Sequence, residues 1–187
     1  MLKRLLLLCL ICSPAAAWSL YKPMRVIAPQ WVEGISCVDA FICIDDVSRY
    51  PEALELYKSA LHFVSTTVGS FHENPRVTFC TTEVCFQSFG FTKASASTVG
   101  KSGIVVSPRG WTLYYLRHEM IHHLQAERLG VLTQLLGPVW FIEGMAYSLS
   151  DDPRQPMAEP WRQHRADFEA WYEKVGKEGL WDEARKL

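Results

Sequence analysis

The chain has 187 residues, 49% hydrophobic and 21% charged, with a formal net charge of −1 at pH 7. That length and mixture fit one globular domain rather than a disordered or fibrous chain. Nothing in the charge pattern resembles the basic stripe of a nucleic-acid-binding surface, so nucleic acid is not expected as a partner.

At the N-terminus, Lys3 and Arg4 precede an apolar run, Leu5 to Cys12, followed by Ser13-Pro14-Ala15-Ala16-Ala17. This is the layout of a secretory signal peptide with an Ala-x-Ala cleavage site, and the run is too short to cross a bilayer. The expected division is a signal peptide over 1–17 and a single domain over 18–187, periplasmic or secreted. Cleavage removes two of the 19 basic residues, leaving 17 against 20 acidic ones and a net charge of −3. No later apolar run is long enough to span a membrane.

Cysteine usage fits export. Cys9 and Cys12 lie in the signal segment without forming a lipoprotein attachment site, which leaves Cys37, Cys43, Cys80 and Cys85. Four cysteines allow three pairings, and Cys37–Cys43 with Cys80–Cys85 closes the two shortest loops. The rival, a four-cysteine structural zinc site, suits spacings of two intervening residues better than the five and four present here.

Met24 to Ala28 and Ala40 to Ile44 read as short strands. A helix opens at Pro51, carries Leu54, Tyr57, Leu61, Val64 and Val68 as an apolar stripe, and stops at Gly69. His62 and His72 read as ordinary surface or boundary histidines. Arg76 to Thr81 is a strand, Cys80 to Cys85 a pinned turn, and Phe91 to Gly103 a Ser/Thr/Gly-rich loop. Gly103 to Pro108 is a β-branched strand expected at the rim of a cleft. Thr112 can then cap a helix from about Leu113 to Leu129, ended by Gly130. Beyond the apolar segment Val131 to Leu136, Gly137-Pro138 restarts a helix. Pro153, Pro156 and Pro160 mark a linker before a last amphipathic helix, Trp161 to Val175.

The informative stretch is Arg117-His118-Glu119-Met120-Ile121-His122-His123. Residues four apart share a helix face, so His118 and His122 can grip one metal ion, and Glu119 can reach a water on that ion as general base. Glu143, on the following helix, can supply a third ligand and leave a fourth position open. His123 points about 100° away from His122 and reads as a neighbour, not a ligand.

His118-Glu119-x-x-His122 followed by Trp140-Phe141-Ile142-Glu143-Gly144-Met145-Ala146 resembles the gluzincins, zinc peptidases whose third ligand is a glutamate; the Trp-x-x-Glu-Gly-x-Ala form is most like their aminopeptidase-type branch. The resemblance covers roughly Gly103 to Ser150. It implies one Zn2+ bound by His118, His122 and Glu143, with Glu119 as catalytic base, and hydrolysis of a peptide or protein substrate. The fold it implies is α+β: a zincin-like core in which a small mixed sheet packs on the active-site helix, with a helical C-terminal part.

Three departures stand out. The 20-residue gap between His122 and Glu143 is slightly longer than in the best-known gluzincins. Tyr147 stands where thermolysin-like enzymes place an aspartate that orients a zinc histidine, so that role must fall elsewhere. Gln125 and Arg128 occupy the positions where a metzincin has glycine and a third histidine, which excludes that pattern. No oxyanion-stabilising residue is visible; Tyr147, His164, Arg165 and Tyr172 are the candidates. The alternative to a peptidase is a non-catalytic, zinc-stabilised binding or assembly module of the cell envelope.

Overall fold

The structure is a computed structural model and describes Trp18 and residues 21–187; the expected signal segment 1–17 lies outside the described residues. Five short strands form one mixed sheet: β1 Ser36–Cys37, β2 Ile42–Ile44, β3 Val77–Phe79, β4 Ala96–Val99 and β5 Gly103–Val106. Their spatial order is β1-β2-β3-β5-β4. The three inner strands are parallel, with Val77 opposite both Ile42 and Ile104, and both edge strands run antiparallel to their neighbours.

The inner strands are apolar because helices or loops cover both their faces. The pleat sends Ile42, Ile44, Val77, Phe79, Ile104 and Val106 into the main core. Val105, between two of these, joins Val26, Cys80, Phe86 and Phe89 in a smaller cluster on the opposite face.

Among the described residues, six α-helices accompany the sheet: α1 Tyr50–Thr67, α2 Glu83–Ser88, α3 Leu113–Leu129, α4 Val131–Leu136, α5 Val139–Leu149 and α6 Trp161–Ala184. On α1 the buried residues Ala53, Tyr57, Ala60 and Val64 form one stripe at helical spacing. On α3, Leu116, Met120 and Leu124 are buried as their spacing predicts. The fully buried Phe168 of α6 sits against Phe141 of α5 and against Trp171 and Tyr172 of its own helix. Gly144 lets these two helices approach so closely: a Cβ there would lie 2.2 Å from the His164 carbonyl oxygen and 2.8 Å from the Phe168 Cβ.

Both expected disulfides are present. Cys37–Cys43 bridges directly opposed residues of β1 and β2, and Cys80–Cys85 ties the end of β3 to α2. Among the described residues no helix is long and apolar enough to cross a membrane.

The structure corrects four local expectations. Met24 to Ala28 is not a strand: Lys22–Ile27 forms 3-10 turns, with Pro23 fixing the first of them. The loop expected over Phe91 to Gly103 contains β4, whose polar sequence suits an edge strand paired on one side. β5 is therefore an interior strand, and β4 takes the rim assigned to it. The last helix continues past Val175 to Ala184, bending at Gly176, whose φ of 71° a side chain would resist.

Candidate metal centre

The buried apolar stripe of α3 seats the helix on the core and turns His118 and His122 together toward α5. Their Nε2 atoms are 3.1 Å apart. The Glu143 carboxylate faces both, with Oε2 3.7 Å from His118 Nε2 and Oε1 3.6 Å from His122 Nε2. These three side chains form a group that could hold a metal ion. Two imidazole lone pairs this close repel one another unless a proton or a cation lies between them. Burial pulls the Glu143 carboxyl upward, but the close approach of His118 and the charge of the surrounding histidines outweigh this and hold it below the ordinary carboxylate value.

The state of His122 follows from its neighbours. The fully buried Gln125, one turn on along α3, donates from Nε2 to the Ile142 carbonyl at 2.9 Å. A carbonyl only accepts, so the amide orientation is fixed and Oε1 faces His122 Nδ1 at 2.9 Å. Nδ1 therefore carries the proton and Nε2 presents its lone pair to the centre. Since Ile142 precedes Glu143, one side chain ties the histidine helix to the glutamate helix beside the site.

Glu119 is held by the edge strand. The Thr98 hydroxyl lies 2.7 Å from Glu119 Oε2 and 2.9 Å from the Glu119 carbonyl oxygen, both acceptors. Both residues line a cleft of about 550 Å3 together with His118, His122, Glu143 and the chain from Lys93 to Ala96.

Across the cleft, Tyr147 packs its ring against His118 with centroids 4.5 Å apart. Burial, then the Glu143 charge, push its phenol up to about 12, so it is a neutral hydrogen-bond donor near neutral pH. Just beyond α5, the buried Asp152 grips Arg154, and Arg154 in turn donates to the Tyr115 hydroxyl at 3.2 Å. Tyr115, Arg154 and Trp161 all line the cleft.

Of the four oxyanion candidates, Tyr147 alone is among the residues lining this cleft. His164 packs on Trp161, Arg165 pairs with Glu169, and Tyr172 stacks on Phe168. His123 is buried with its Nε2 3.8 Å from Glu127, and the two line a separate hollow of about 740 Å3. Thr98, Asp152 and Arg154 carry no sequence signature. Gln125, three positions past His122 on the same helix, is the one whose spacing could have drawn attention to it.

Comparison with known protein families, with curated proteins and with solved structures finds no match to this chain.

Proposed function

We propose that the chain is a zinc-dependent peptidase of gluzincin type with a zincin-like core, working outside the cytoplasm. The observation that carries this reading is the triangle of donors from His118, His122 and Glu143, with edges of 3.1, 3.6 and 3.7 Å. Ligands about 2 Å from a tetrahedral zinc stand roughly 3.3 Å from one another, so these side chains suit such an ion with one corner left open. When bound, zinc would acidify a water at that corner and polarise the scissile carbonyl.

The chain's own residues supply the remainder. Glu119, steadied by Thr98, takes the proton from the attacking water and passes it to the leaving amine. Gln125 keeps His122 in the metal-binding tautomer. Tyr147, neutral at working pH, is placed to donate a hydrogen bond to the developing oxyanion. β4 is a sheet edge beside the cleft, and an extended peptide could pair with it as one more strand. The two disulfides suit an oxidising compartment, either periplasmic or extracellular.

Purified protein with intact disulfides is expected to hold one zinc ion per chain. His122→Ala or Glu143→Ala should abolish binding; full zinc occupancy in Glu143→Ala sinks the ligand assignment. A non-catalytic, zinc-stabilised module remains the second reading, favoured by Tyr147 standing where an orienting carboxylate would. It requires that Glu119→Gln leave the biological role untouched.

A further inference from the structure

Lys93 and Arg154 both line the metal cleft. Lys93 is exposed on the approach to β4, whereas Arg154 is fixed on several sides. Its Nε and Nη2 donate to the carboxylate of Asp152, whose side chain is 1% exposed, at 2.9 and 2.5 Å. Its Nη1 donates to the Tyr115 hydroxyl. The rings of Tyr115, Tyr114 and Tyr147 stand 4.9, 5.3 and 5.7 Å from the guanidinium carbon. Even so, 39% of the side chain is exposed.

A guanidinium has five N–H donors, and three are taken here. Among the described residues no acceptor takes the other two at ordinary hydrogen-bond length, the Tyr147 hydroxyl being the nearby polar group that faces the guanidinium across the cleft. A salt bridge that served only to neutralise Asp152 would not need a tyrosine cradle opening into the cleft. Tyr147 touches both centres, so the guanidinium lies no further from the His118 ring than the 4.5 and 5.7 Å steps through Tyr147 combined. An extended chain advances about 3.3–3.6 Å per residue, which puts Arg154 within about three residues of a bond cut at the metal.

We propose that Arg154 is a substrate-binding residue that receives a carboxylate of the peptide, either its C-terminal carboxylate or an acidic side chain close to the scissile bond. The inference rests on the metallopeptidase reading above. Asp152 orients the planar fork in advance, and a carboxylate is the group such a fork pairs with best.

The probes are dipeptides carrying a metal-binding hydroxamate at one end and, at the other, a free carboxylate, a carboxamide, or a carboxamide preceded by glutamate. Binding is measured by calorimetry on zinc-loaded protein, with zinc content determined alongside. The free acid, the glutamate-bearing amide or both should bind about tenfold or more tighter than the plain amide. The double variant Asp152→Asn/Arg154→Gln, which removes the buried pair together, should bring all three probes within about twofold. Arg154→Lys, which keeps a charge for Asp152, should retain zinc and lose part of the preference. A preference for the free acid alone assigns the C-terminal carboxylate, a preference for the glutamate-bearing amide alone assigns an acidic side chain, and a preference for both shows that Arg154 accepts either. Equal binding of all three probes to zinc-loaded wild-type protein overturns the role of Arg154 and leaves the metal site standing. So does a preference that survives intact in the double variant. A protein that takes up neither zinc nor hydroxamate overturns the metallopeptidase reading and this inference with it.

Discussion

Gln125→Met tests how the two ligand-bearing helices are held together. Methionine roughly fills the volume of glutamine, so the cavity contribution is small. What disappears are two buried hydrogen bonds, leaving the His122 Nδ1–H without a partner and the Ile142 carbonyl with only its helical one. At about 1–3 kcal/mol for the stranded N–H and about 0.5–1.5 kcal/mol for the lost bond to Ile142, the metal-free protein should lose about 2–4 kcal/mol, a large part of a typical 5–15 kcal/mol total. The His122 ring, no longer held in one tautomer, should bind metal about 10–100-fold more weakly. Urea unfolding of the metal-free protein measures the first effect, and competition against a chromophoric zinc chelator the second. Gln125→Glu separates the two halves: it keeps the acceptor for Nδ1 and gives up the donor to Ile142, so it should cost stability and spare more of the affinity. Zinc affinity within twofold of wild type in Gln125→Met would refute the claim that this side chain sets the state of His122.

The other predictions concern catalysis, packing and pH. Glu119→Gln should keep zinc and lose peptide hydrolysis by about 10²-fold or more, measured as kcat/KM on a peptide mixture; unchanged turnover would remove Glu119 from the mechanism. Gly144→Ala forces a methyl group against the His164 carbonyl and should destabilise the protein by about 1–3 kcal/mol, read from the urea midpoint. Burial raises the Asp152 carboxyl, but the Arg154 hydrogen bonds and charge outweigh this and hold it below its ordinary 3.8. With the folded-state value depressed, its contribution is intact above the ordinary carboxylate range and is lost as pH falls through the lowered value. Wild-type stability should therefore fall more steeply in acid than that of Asp152→Asn, and parallel acid limbs would contradict the pairing. Phenolate absorbance compared between wild type and Tyr147→Phe should show the Tyr147 phenol ionising only near pH 12.

The order of most elements and the group of side chains that could hold a metal were legible because they rest on short-range rules. His118, Glu119 and His122 share one helix, and helical geometry alone brings the two histidines to one face. Glu143 could be picked out by its sequence surroundings, and the close cysteine pairs left little choice of partner. β4 was hidden because an edge strand pairs through its backbone and needs no apolar signature, so Ala96 to Val99 has the composition of a loop. Gly144 looked like part of a motif, while its reason for being glycine lies in the α6 backbone twenty residues on.

By itself, then, the sequence determined which atoms could meet a metal, since that depends on the pitch of one helix and on residue chemistry. Only the tertiary structure decided how those atoms are held and what faces them. Gln125 reaches across to Ile142, Thr98 reaches from a sheet edge to Glu119, and Asp152 aims Arg154 into the cleft. The Gln125 and Thr98 contacts join residues 17 and 21 positions apart, separations that no local periodicity encodes. The Asp152–Arg154 contact is local in the chain, but its direction into the cleft is set by the packing of α3 and α5 around it.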